Sequence, residues 1–129
     1  MSAPAGDPLD LSGEWSGIYN YPQAFPPVAF AASLAEQGGW LTGEISEVTF
    51  RGKRAASIQG RRAGLVVTWL KSYEHRDVSH DIQYEGVVSA DGQEISGRWT
   101  IFADWSGTFL MARKPRSAAR RERRATAKA

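Results

Sequence analysis

Residues 94–112 read EISGRWTIFADWSGTFLMA, and the alternation within this stretch decides the fold. Ile95, Gly97, Trp99 and Ile101 share one phase of a two-residue period, and Trp105, Gly107, Phe109 and Met111 share one phase of the run that follows. Side chains of an extended strand point alternately to opposite faces, so each run has one apolar face, with Glu94, Ser96, Arg98, Ser106 and Thr108 on the other. Ala103 and Asp104 alone separate the runs, a spacing that suits a hairpin.

The same pattern extends outward through the chain. Eight segments enriched in Trp, Tyr, Phe, Val, Ile and Thr occupy residues 12–21, 28–37, 40–48, 55–61, 65–74, 80–89, 94–102 and 105–112. Between them lie PQAFPP, GG, TFRGKR, RAG, HRDVS, ADGQ and AD, all too short for the helical crossover that a parallel pair requires. Eight sequential strands joined by hairpins predict an all-β fold, an antiparallel up-and-down barrel of eight strands, because closure leaves no strand edge exposed. A two-layer sandwich is the competing architecture.

Period 2 then assigns an interior. Gly13, Trp15, Gly17, Tyr19 and Tyr21 face one way in the first segment, and His80, Ile82, Tyr84, Gly86 and Val88 do so in the sixth. Gly17, Gly43, Gly60, Gly86, Gly97 and Gly107 all fall on the inward phase. Glycine weakens a strand, and its recurrence there points to sharp coiling and to room for a neighbouring ring. The phrases EWSGIY (14–19) and DWSGTF (104–109) are expected side by side, where the first and last strands close the barrel.

At 129 residues the chain has one domain's length, with no cysteine for disulfide or thiolate chemistry. Residues 1–10 read as a disordered leader, 11–113 as the barrel domain and 114–129 as a basic, disordered tail. From Arg113 onward there are eight Lys/Arg and one acid, so the tail region carries +7 and the rest of the chain −5. No apolar run approaches the length of a membrane span, and the N-terminal residues lack the features of a secretory signal, so the expected location is the cytoplasm.

The stretches SGEWSG (12–17), VTWLKSYEHRDVSHDIQYEGVV (67–88), ISGRWTI (95–101) and GTFLMA (107–112) resemble the strand grammar of the avidin and streptavidin family and, more broadly, of calycin barrels such as the lipocalins. The resemblance implies an eight-stranded barrel with a ligand site at one open mouth. Trp69, Tyr84 and Trp99 match the places of the aromatic residues that wall the avidin-type pocket. The first-strand positions that grip a ureido ring in that family fall at Gly17 and Tyr21, so the resemblance implies a pocket and leaves its ligand open.

Polar residues in phase with the interior mark candidate chemistry. Glu47 follows Leu41, Gly43 and Ile45; Lys71 and Tyr73 follow Trp69; His80 precedes Ile82 and Tyr84. Odd strands end, and even strands begin, at the same rim, which brings Tyr21, Glu47, Tyr73 and His80 to one opening. The expected site is therefore an aromatic chamber of Tyr19, Trp69, Tyr84 and Trp99 with those four residues at its mouth, suited to a small apolar or amphipathic molecule. Full packing of the interior by side chains is the competing reading, since an eight-stranded barrel is only wide enough for one or the other.

No nucleophile elbow, phosphate-binding loop or zinc-protease motif is present. An enzymatic reading is limited to a cofactor-free cyclase or isomerase in which Glu47 or His80 moves a proton. The run EHRDVSHD (74–81) has metal-capable side chains, but its spacing matches no metal motif and reads as a charged hairpin loop; no metal or cofactor is expected. Arg120, Arg121, Arg123 and Arg124 offer a charge-driven contact to an acidic partner or RNA, without aromatics for base stacking. Val66, Leu70 and Leu110 are apolar on the outward phase, which is compatible with a homodimer.

Overall fold

The computed structural model describes residues 9–22, 25–49, 52–74, 81–101 and 105–115. They form eight strands: β1 (Gly13–Asn20), β2 (Val28–Gln37), β3 (Trp40–Thr49), β4 (Gly52–Ala63), β5 (Val66–Tyr73), β6 (Ile82–Val88), β7 (Glu94–Ile101) and β8 (Trp105–Arg113). Each strand pairs antiparallel with the next, and β8 returns to β1, so the sheet is a closed barrel. Barrel closure wins over the sandwich because it pairs the backbone groups of every strand on both sides. Among the described residues no helix is long and apolar enough to cross a membrane.

The seam is where the sequence placed it. β1 and β8 pair as expected, but EWSGIY and DWSGTF meet only at their ends, where Tyr19 pairs with Phe109; Trp15, Ser16 and Gly17 instead lie opposite Arg113, Ala112 and Met111. The alternation also holds: Trp15, Tyr19, Tyr84, Ile95, Trp99, Phe109 and Met111 are buried, whereas Val66, Leu70 and Leu110 are about half exposed on the outer surface.

Close packing of the sheet depends on the inward glycines. A Cβ on Gly97 would overlap the backbone oxygen of Glu85 and lie 2.6 Å from the Cα of Gly86, its register partner across β6–β7. Only hydrogen side chains allow the two backbones this approach.

The boundaries differ most at β4, which the sequence reading confined to 55–61 but which spans Gly52–Ala63. TFRGKR (49–54) reads as a linker, but β3 continues to Thr49 and β4 resumes at Gly52, with Thr49 pairing to Gly52. The ladder therefore carries Lys53 outward and Arg54 inward, opposite Glu47.

The two rims differ. At one, the hairpins turn tightly through Gly38 and Gly39, Gly64, and Gly92, all with positive φ. Leu11 and Trp15 are fully buried there, and the Trp15 indole N–H donates to the Leu11 carbonyl at 2.9 Å. Arg62 grips the Glu36 carboxylate at 2.7–2.9 Å, and Glu36 accepts the Leu11 N–H at 3.0 Å. Arg113 donates to the carbonyls of Asp10 and Ser12 at 2.7 and 2.8 Å and lies over the Trp15 ring. Asp10, placed in the leader by composition, thus takes part in sealing this rim. The other rim collects the ends of β1, β3, β5 and β7, and the candidate site lies there.

Candidate functional site

Inward polar residues near this second rim converge on one carboxylate. Glu47 on β3 is fully buried and accepts from Tyr19 Oη at 3.1 Å, from Tyr73 Oη at 3.0 Å to each oxygen, from Arg54 Nη2 at 3.1 Å, and from Lys71 Nζ. A carboxylate offers about four lone-pair directions, so four different donors saturate it. Lys71 also donates to Tyr84 Oη at 3.3 Å, and its ammonium lies 4.6 and 4.7 Å from the Tyr19 and Tyr73 ring centroids. The lysine is caged by its own protein, with the rings supplying cation–π attraction in place of water.

Burial shifts the protonation equilibria around this centre. It raises the phenol pKa of Tyr19 and Tyr73, and the Glu47 charge pushes both further in the same direction. Tyr84 is raised by burial first, with Tyr73 and Glu47 adding to it. All three phenols are therefore neutral at ordinary pH. Burial lowers the Lys71 pKa, while the Glu47 carboxylate acts against that shift.

Arg54 connects this buried cluster to the surface. Its side chain is 34 % exposed, its guanidinium stands over the Tyr73 ring at 4.8 Å, and it reaches Tyr19 Oη at 3.4 Å. Its Nε is shielded from solvent and has no hydrogen-bond acceptor among the described residues.

Above the cluster lies a pocket of about 130 Å³. Tyr21, Ile82, Trp99 and Ile101 form part of its lining, and Tyr19, Tyr73, Tyr84 and Arg54 form the rest. Tyr21 meets Tyr19 and Trp99 edge-on, with ring centroids 5.7 and 5.6 Å apart, and the Trp99 indole N–H is satisfied by the Asn20 carbonyl at 3.0 Å. Deeper in the barrel the space is filled. Trp69 stacks on Tyr84 at 5.6 Å, Phe109 packs against both, and the void beside Phe30 and Ile45 is about 10 Å³. That is at the threshold for a single water. A larger hollow of about 570 Å³, between Trp40 and Leu70, lies on the outer surface of β3–β6, away from the buried charges.

The geometry sorts the residues singled out from sequence. Tyr19, Tyr21, Tyr73, Tyr84 and Trp99 line the mouth pocket; Glu47 sits beneath it, enclosed by its donors; Trp69 belongs to the packed interior. His80 and most of the EHRDVSHD run lie outside the described residues, as do Arg120, Arg121, Arg123 and Arg124. Among the described residues no group of three or more His, Asp or Glu is placed to hold a metal.

Two site residues were not drawn from the sequence into the site. Lys71 stands out by its phase with Trp69 but is not among the residues expected at the mouth. Arg54 disappears into an apparent linker. The signal that recovers it is hairpin symmetry: with a two-residue connection after Thr49, Glu47 and Arg54 are equidistant from the turn and must face each other. No protein-family model and no curated protein matches this chain.

Proposed function

We propose that this barrel binds a small molecule in the pocket at its open rim, with an aromatic or apolar body against Tyr21, Trp99 and Ile82 and a polar end toward Arg54. The observation carrying this reading is the convergence of a concave aromatic surface on a half-enclosed guanidinium above a fully buried Glu47–Lys71 pair. Buried ion pairs recover little of their desolvation cost, so hydrophobic residues would serve a purely structural barrel at least as well. A rigid polar floor under an apolar wall is instead what orientation of a ligand requires.

The resemblance to avidin-like and calycin barrels agrees with a site at one mouth, but here the usable space is shallower than a chamber through the interior. At about 130 Å³ it is well below the several hundred typical for drug-sized ligands. Binding is favoured over proton transfer by Glu47, whose lone pairs are all engaged and whose carboxylate has no exposed surface.

Ligand-observed NMR with a library of single-ring fragments tests the reading, using wild type and an Ile101→Trp variant that fills the pocket from its edge. Saturable binding by the wild type, lost in the variant with the melting temperature retained, is the expected result. Absence of saturable binding by any fragment, or equal binding by both proteins, would overturn the assignment.

A further inference from the structure

We infer that the ligand of the mouth pocket is a compact monoanion, a single carboxylate on one ring or a short apolar chain. The inference rests on the pocket being the binding site and adds the charge and size of its occupant.

Charge comes first. The described residues place two cations, Arg54 and Lys71, around one anion, Glu47, inside this end of the barrel. The phenols of Tyr19, Tyr73 and Tyr84 add no negative charge, since burial keeps them protonated. Lys53, Glu74 and Asp81, the other charged described residues near this rim, are exposed on its outer side, and Asp81 accepts from Ser72 Oγ at 2.8 Å. A cationic excess in a partly desolvated site is repaired by one anion and overshot by two.

Hydrogen bonding gives the second, independent observation. Arg54 engages Glu47 and Tyr19 through Nη2, and among the described residues its Nε has no acceptor. A guanidinium that lines a pocket and is about one third exposed keeps donors free for a ligand, and a carboxylate is the acceptor whose geometry suits it. Neutral carbonyls could accept the bond but would leave the excess charge in place.

Volume sets the size. About 130 Å³ is well below the several hundred typical of sites for drug-sized ligands. This admits a benzene ring or a chain of a few carbons with its carboxylate, and excludes a long fatty acid lying wholly inside. The lining supplies ring faces and edges from Tyr21 and Trp99 and aliphatic surface from Ile82 and Ile101.

Calorimetry on the full chain with benzoate, butyrate and their neutral amides separates the ideas. Wild type is expected to bind at least one acid about tenfold or more tightly than its amide, the factor worth one charge-assisted hydrogen bond. Arg54→Gln should erase that preference, and Arg54→Lys should restore it in part. Glu47 and Lys71 still neutralise each other in Arg54→Gln, and its circular dichroism is expected to match wild type. Equal affinity for acid and amide, or a preference that survives Arg54→Gln, would overturn the anion assignment while leaving the pocket intact. Binding of fragments that Ile101→Trp blocks, with no binding of either acid, would do the same. Loss of all binding would remove both.

Discussion

At the scale of single residues, Glu47 is the hinge of the charge arrangement. Its removal leaves Lys71 fully enclosed with no anion, whereas removal of Lys71 leaves Glu47 still paired with Arg54 and bonded to two phenols. The two substitutions should therefore be unequal. Glu47→Gln is expected to lower unfolding free energy by about 3–5 kcal/mol, the cost of an uncompensated buried charge. Lys71→Met, which keeps the shape and removes the excess cation, should cost no more than about 2 kcal/mol. Urea titrations of both variants measure the asymmetry; equal losses would mean that Glu47 contributes packing rather than charge compensation. Glu47 was legible from its phase with Leu41 and Ile45. Its donors were only partly so, because phase says which way a side chain points and not which of several inward groups lies nearest.

At the scale of elements, the strands were readable because nearly every one alternates cleanly and their connections are short. The exception, β3–β4, shows the limit of that reading. Polar and glycine residues in TFRGKR satisfy the composition of a turn, but the strands continue because Lys53 can project to solvent while Arg54 finds Glu47 across the ladder. Tertiary pairing overrode local composition, and it hid the residue on which the proposed site depends. Glycine carries a second prediction at this scale. Gly97→Ala forces a methyl into the β6 backbone at Glu85 and Gly86, so a loss of at least ~3 kcal/mol is expected. Gly38→Ala, at a turn with φ +60° and open space around it, should cost about 1 kcal/mol from backbone conformation alone. Paired melting curves check the contrast.

At the scale of the whole molecule, the interior tyrosines set an alkaline limit. Tyr19, Tyr73 and Tyr84 hold their protons in the folded barrel beyond the ordinary phenol value of 10.0, while in the unfolded chain they ionise around it. The unfolded state then binds fewer protons, so stability is intact below pH 10 and falls as pH rises above it. Lys71 works in the opposite direction, since its lowered pKa favours the folded state as pH climbs toward 10.5, and it offsets part of the loss in that range. Beyond 10.5 the three phenols act alone, with a slope approaching about 4 kcal/mol per pH unit. Denaturant melts between pH 9 and 12 should show that decline, and Tyr73→Phe should reduce the slope by about a third. A flat profile would place these phenols in contact with solvent.

The sealed rim bears on how the molecule is used. Trp15 pairs with Arg113, and Arg113 holds Asp10, so the chain enters and leaves the barrel at neighbouring points on the end away from the pocket. Whatever sequence precedes or follows the barrel therefore starts from the pole away from the proposed pocket, so a tether or a bulky fusion can be attached there without altering the pocket's lining. The proposed pocket and the two ends of the barrel's chain occupy opposite poles, so either can be altered without rebuilding the other.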